Sequence, residues 1–219
     1  RDYGFPKSVK KYYLSDKKLY NKMTKDGIDE NKLKIVGNLM FDSINPKLNQ
    51  DATNKLLNKK EKETLINLFP GSRPKEFSYL LPLYLNFISE LNKKENNYRF
   101  IISKAAFINE RDIEMIVKDR RIKEKVVYDR ETNTINLNEC IIKIYEKNLQ
   151  SIMRESDFAV TIPGTNNLEL AVLDTPMLVI LPLNRPELIP LPGLIGLVGE
   201  VPLIGKIIKK SIIPKLLKQ

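Results

Sequence analysis

Histidine is absent from the 219-residue chain, and cysteine occurs once. Without histidine no Ser-His-Asp or Cys-His nucleophile system can be assembled, and most zinc chemistry is excluded with it. Cys140 alone cannot close an internal disulfide, which fits a reducing, cytoplasmic setting, and it reads as an ordinary partly buried thiol. No block of five or six like charges occurs, although the formal net charge is +10. Only nine of the 37 basic residues are arginine, and the lysines come with asparagine and isoleucine throughout. That pattern is a compositional bias rather than a nucleic-acid surface, so no nucleic-acid partner is expected. A weak attraction to anionic membrane surfaces is the more natural use of such charge. No long apolar run survives uninterrupted. The most apolar passage, residues 188–204, is broken by Pro190, Pro192, Pro202 and three glycines, which argues against a membrane-crossing helix.

What is present is a soluble, globular composition, 42% apolar and 29% charged, in a chain long enough to bury a full core. Its organising stretch is residues 156–181, SDFAVTIPGTNNLELAVLDTPMLVIL, which reads as strand, glycine turn, helix and strand. A helix between two short buried strands implies an α/β fold: a parallel sheet with helices on both faces. The same alternation runs through the preceding residues. A lysine-rich helix over 50–61 leads to a strand at 64–69, then to a helix from Pro74 to about Asn92 in which Pro82 predicts a kink or a restart. A strand at 98–103, a short helix at 110–118 and a strand at 125–128 follow. Residues 129–139 read as a polar connection, and 140–145 as a strand or the front of a helix reaching Arg154. Near the start, a strand at 12–14, Ser15 as the cap of a helix over 16–25, Gly27 as its stop and a strand at 33–36 form a smaller block.

Two turns carry the chemistry. In FPGSRPKE, residues 69–76, Gly71 lets the backbone turn tightly, Ser72 offers a hydroxyl and a helix cap, and Arg73 offers a planar fork for a phosphate or a carbonyl edge. In PGTNNLE, residues 163–169, the N–H groups of Gly164, Thr165, Asn166 and Asn167 suit an anion, and Glu169 suits sugar hydroxyls. The bland alternative makes the first turn a simple strand-to-helix cap and makes Asn166 and Glu169 a capping box. Two such turns at the carboxyl ends of one parallel sheet can face a single crevice, which favours a shared nucleotide ligand. No carboxylate cluster accompanies either turn, so no metal and no cofactor is expected.

PGSRPKE followed by an amphipathic helix, then PGTNNLELAVLDTPMLVI and LPLNRPELIPLPGLIGLVGEVPLIG, resembles the donor-binding half of the lipid-A-disaccharide synthase family, and its uncharacterised relatives most of all. VGNLMFD, residues 36–42, resembles that family's passage between domains. The resemblance implies a glycosyltransferase-B fold of two Rossmann-like domains, a uridine-diphosphate acylglucosamine donor and a lipid-linked sugar acceptor. It implies that Gly71, Ser72 and Arg73 line the uridine diphosphate, and that Gly164 to Asn167 with Glu169 hold its diphosphate and ribose. No catalytic base is assigned. Residues 1–40 would then be the tail of an N-terminal domain with the interdomain crossing, and 41–219 a donor-nucleotide domain cut short at its C-terminus. The start at Arg1 and the end at Gln219 read as those of a fragment. Residues 182–214 are either a buried irregular loop or an apolar surface that meets a lipid or the inner face of the membrane, backed by Lys206, Lys209 and Lys210. Two rivals stay open: another nucleotide-sugar enzyme of the same fold, such as a 2-epimerase or a peptidoglycan-type transferase, and a non-catalytic module that binds a membrane or partner.

Overall fold

The computed structural model describes residues 8–44, 50–58, 60, 62–94, 97–183 and 185. The chain forms two compact units, residues 1–47 and 48–219. In the first, β1 (Tyr12–Leu14) and β2 (Leu33–Ile35) pair in parallel on either side of α1 (Lys17–Lys25). Leu14, Met23 and Leu33 form its small core. The helix cap falls one residue later than expected: Asp16 Oδ1 accepts from the Leu19 N–H at 2.8 Å, while Ser15 donates to the other carboxylate oxygen at 2.7 Å. A carboxylate is the better acceptor at a helix N-terminus, since it also meets the positive end of the dipole. Gly27, at φ +82°, follows the helix end as anticipated. The short helix α2 (Leu39–Ser43) then begins on Asn38, whose side chain accepts from the Met40 N–H at 3.0 Å.

The second unit starts with α3 (Gln50–Leu57), β3 (Thr64–Leu68), α4 (Pro74–Asn92), β4 (Tyr98–Ser103) and α5 (Glu110–Ile116). It continues through β5 (Val126–Asp129), β6 (Thr134–Leu137), β7 (Cys140–Tyr145), α6 (Leu149–Glu155), β8 (Phe158–Thr161), α7 (Asn166–Val172) and β9 (Met177–Val179). These strands make a seven-stranded sheet in the order β5-β6-β7-β4-β3-β8-β9. Strand alternation gives it two buried faces. Ile66, Leu68, Phe100 and Ile102 meet α4 and α5, whereas Leu65 and Ile101 meet Leu57 of α3 and Ile152 of α6. From β3 the chain moves through α4 to β4 on one side, and from β8 through α7 to β9 on the other. The loops therefore part between the carboxyl ends of β3 and β8, the place where doubly wound sheets open a crevice.

One expectation needs correction. Residues 129–139 are not a plain connection: they contain β6, which pairs antiparallel with both β5 and β7 and alone runs against the rest of the sheet. Both tight turns are made by asparagine in the left-handed region, Asn133 at φ +51° and Asn138 at φ +53°. Asp129 Oδ1 braces the first of them by accepting the Glu131 N–H at 2.9 Å. Cys140–Tyr145 is a strand, and α6 is a separate helix.

Pro82 neither kinks α4 to a stop nor restarts it; one helix spans Pro74–Asn92. Proline has no N–H, so the Ser78 carbonyl one turn earlier loses its helical donor. Arg121 replaces it, with Nη2 donating to Ser78 O at 2.7 Å and Nη1 to Tyr79 O at 3.3 Å. The guanidinium also lies 5.2 Å from the centroid of the Tyr79 ring, and Asp119 holds it through Nε at 2.9 Å and Nη2 at 2.7 Å. Arg121→Ala should cost about 1 kcal/mol in urea unfolding, the usual worth of such a bond. In a Pro82→Ala background the loss should shrink by about 0.5 kcal/mol, because alanine restores the helical donor. Hydrogen bonds from Arg121, working against partial desolvation, hold the Asp119 carboxyl at about 2 rather than 3.8. A depressed carboxyl contributes stability that is complete above about pH 4 and lost as pH falls through 2. Acid unfolding should therefore be less steep in this window for Asp119→Asn than for the parent chain.

Candidate functional site

The crevice between β3 and β8 opens into a cavity of about 500 Å³. Three loops wall it, one after each of three adjacent strands. Phe69, Gly71, Ser72, Arg73 and Glu76 come from the β3–α4 turn, Ser103, Lys104 and Ala105 from the end of β4, and Ile162 to Asn166 with Glu169 from the β8–α7 turn. Leu149 and Met153 of α6 close the apolar side. Seven of the eight residues expected at a ligand line this one cavity; Asn167 is not among its walls.

The first turn is built around Glu76. Its carboxylate is nearly buried and accepts the Arg73 N–H at 3.2 Å and the Arg73 guanidinium at 3.0 Å. Glu76 thus sits at the third position of α4 as the acidic half of a capping box, while Arg73, not Ser72, occupies the N-cap. Pro74 takes the first helical position, where its missing N–H costs nothing. Gly71 is required twice over. Its φ is +103°, and a Cβ there would stand 2.6 Å from Glu76 Cβ and 2.9 Å from Glu76 Oε2. Tyr84 anchors the turn's entry by donating to the Phe69 carbonyl at 3.3 Å, and burial raises its phenol well above the ordinary value, so it stays a donor.

The second turn is braced differently. Asn166 Nδ2 donates to Thr161 Oγ1 at 2.6 Å, and the same hydroxyl stands 3.2 Å from Asn167 Oδ1. Both asparagine amides are therefore turned back on the end of β8. A Cβ at Gly164 would stand 2.8 Å from Asn166 Oδ1 and push that amide off Thr161. The capping box that the bland alternative placed between Asn166 and Glu169 does not form. Thr165 is the N-cap and makes no side-chain cap bond, and the Glu169 carboxylate reaches Gln150 Nε2 at 3.5 Å instead.

The third wall is a surprise. Lys104 is almost wholly buried at the tip of β4, with Nζ 2.6 Å from Glu146 Oε2 and 2.6 Å from the Ile108 carbonyl. Beside it Ser103 donates to Asn67 Oδ1 at 2.9 Å. Asn67 is fully buried, and its Nδ2 has no partner among the described residues. The signal for this wall in the sequence is a lysine at the end of the apolar run YRFIISK, where a buried strand would not otherwise place a charge. Among the described residues no group of acidic, cysteine or histidine side chains could hold a metal ion, and no helix is long and apolar enough to cross a membrane. Most of the apolar passage 182–214 lies outside the described residues.

Residues 17–217 match the family described as lipid-A-disaccharide synthetase. The lipid-A-disaccharide synthase of Geobacter sulfurreducens is 25% identical over 146 residues, 67% of this chain and 33% of that protein. That of a Sulfurihydrogenibium species is 27% identical over 154 residues, 69% and 37% of the two. The chain thus spans about a third of the length of these curated relatives. Among solved structures, the UDP-GlcNAc 2-epimerase from Neisseria meningitidis bound to UDP-GlcNAc superimposes with a TM-score of 0.51 at 14% identity, covering 95% of this chain and 53% of that one. The likeness is one of fold, a Rossmann-like half of the glycosyltransferase-B type. By a family match that runs from residue 17 to residue 217, the chain belongs to the lipid-A-disaccharide synthetase family.

Proposed function

We propose that this chain supplies the donor-nucleotide part of a glycosyltransferase that moves an acylated glucosamine from uridine diphosphate to a lipid-linked sugar. In this reading residues 41–219 are the donor domain and residues 1–40 the tail of a preceding domain with its crossing. The observation that carries it is the convergence of both turns on one cavity at the switch point of the sheet, in a chain of this family. Arg73, 60% exposed in its side chain, can swing its fork to a phosphate while Glu76 keeps the turn in shape. The backbone N–H groups of Gly164, Thr165 and Asn166 face the same oxygens, and Glu169 accepts from the ribose hydroxyls.

Transfer forms a bond between the acceptor oxygen and the anomeric carbon as the bond from that carbon to the diphosphate breaks. Charge then grows on the departing uridine diphosphate, where Arg73 and the turn stabilise it. The acceptor and the base that takes its proton are not assigned to residues of this chain. A lipid-linked acceptor places the work at the inner membrane surface, which suits the apolar passage after β9. The epimerase neighbour shares the fold alone, and the family match supports transfer over epimerisation. Consumption of an acylated rather than an N-acetylated uridine-diphosphate sugar distinguishes the two.

Calorimetric titration with uridine diphosphate tests the site. Arg73→Ala should weaken binding by about 1–3 kcal/mol, the range for a charge-assisted contact. Unchanged affinity would remove Arg73 from the ligand. Glu169→Gln should lower the affinity and leave the melting temperature nearly intact, because the carboxylate caps nothing and its contact with Gln150 is long. A fall in melting temperature at constant affinity would assign Glu169 to the fold instead.

A further inference from the structure

The Arg73–Glu76 pair lines the cavity, and Lys104 of the same cavity wall pairs with Glu146, which lines a neighbouring cavity with it; the asymmetries of the two pairs are opposite. In the Arg73–Glu76 pair the cation is exposed and the carboxylate buried, 60% against 7%. In the Lys104–Glu146 pair the cation is buried and the carboxylate open, 7% against 43%. A buried ammonium is costly unless it is paired and hydrogen-bonded. Its partner here is the half that water can take back at little cost, because an exposed carboxylate gains little from a surface pair. The Ile108 carbonyl holds the lysine in place independently, at 2.6 Å. Of the ammonium's three protons, two are engaged at 2.6 Å, and the remaining neighbour, the Ala105 carbonyl, is 3.5 Å away. Strand β4 lies directly beside β3, so Lys104 stands at the same end of the sheet as Arg73.

We propose that Lys104 is a fixed cation for the diphosphate of the donor, held by Glu146 until the anion arrives and displaces that carboxylate. The proposal deepens the donor-site reading and rests on it. Arg73 would be the swinging cation and Lys104 the stationary one, so that the charge of the diphosphate is met from two adjacent strand ends.

The two members of the pair give opposite signs, which a purely structural lysine would not. Lys104→Met should weaken uridine diphosphate and inorganic pyrophosphate about tenfold or more, as for loss of a hydrogen bond to a charged group. Uridine itself should bind as before. Glu146→Gln, which leaves the Ile108 bond in place, should tighten uridine diphosphate about two- to fivefold, the equivalent of releasing an exposed ion pair. Unchanged or weaker diphosphate binding in Glu146→Gln, or an equal loss for uridine in Lys104→Met, would overturn the proposal. If Lys104→Met does not fold, the Glu146→Gln result decides alone. If Arg73→Ala weakens uridine diphosphate and the Lys104 and Glu146 variants do not, the donor site stands and this assignment falls. Failure of the parent chain to bind uridine diphosphate at all would remove both.

Discussion

Everything at the candidate site depends on β3 pairing in parallel with two neighbours at once. Its register sets Leu68 opposite Ile102 of β4 and opposite Val160 of β8. The three strands therefore end level, and the turns that follow them leave the sheet at one height. Asp157 fixes this register at the other end, where its carboxylate accepts the Leu65 N–H at 2.7 Å and its own N–H donates to the Leu65 carbonyl at 3.0 Å. A slip of one residue in β3 would turn Asn67 to the opposite face and break its bond with Ser103 at the end of β4. Because β3 lies inside the sheet, the crevice inherits the rigidity of its most buried strand.

How much of this could be read from residues alone depended on how far apart the partners lie. β3, β4 and β8 are apolar runs closed by Pro-Gly or by a polar tip, and α4 carries its apolar stripe plainly, so these elements were legible. β6 was not, although Ile135 and Leu137 alternate with polar residues, because its turns are punctuated by asparagine rather than glycine. All five non-glycine residues with positive φ among those described are Asn or Asp, namely Asn58, Asn133, Asn138, Asn148 and Asp174. In a chain rich in asparagine throughout, that signal disappears into the background. The two glycine turns were legible as a pair. Lys104 was not, since the carboxylate that pairs with its buried ammonium, Glu146, lies 42 residues away.

Long-range substitution of a local bond explains a second misreading. Pro82 has the local meaning of a broken helix, and that meaning is correct for the backbone: one carbonyl does lose its donor. The helix continues because Arg121, 43 residues beyond Ser78, donates to the Ser78 carbonyl in its place. Nothing within one turn of Pro82 announces this. The arrangement also joins α4 to the loop after α5, a loop that Asn86 grips from the same helix by donating to the Arg121 carbonyl at 2.8 Å and accepting the Lys123 N–H at 3.0 Å. The helix that starts at the site is thus anchored to the connection that leads into the edge strand β5.

The first turn then shows why two strand-end turns need not bind in the same way. A helix N-terminus attracts an anion, and α4 already has one: the Glu76 carboxylate sits in its first turn and takes the Arg73 N–H. A phosphate brought to that terminus would meet a buried negative charge that cannot move, because Gly71 packs against it with no room for even a Cβ. Glu76 therefore trades the anion-binding capacity of the helix end for a rigid turn and a guanidinium aimed outward. Under the donor-site reading the turn after β3 contributes a side chain, and the turn after β8, whose asparagines are tied back to Thr161, contributes backbone. A diphosphate in such a cavity would be held from one side by mobile charge and from the other by fixed dipoles, and Glu76 is the residue that makes that division necessary.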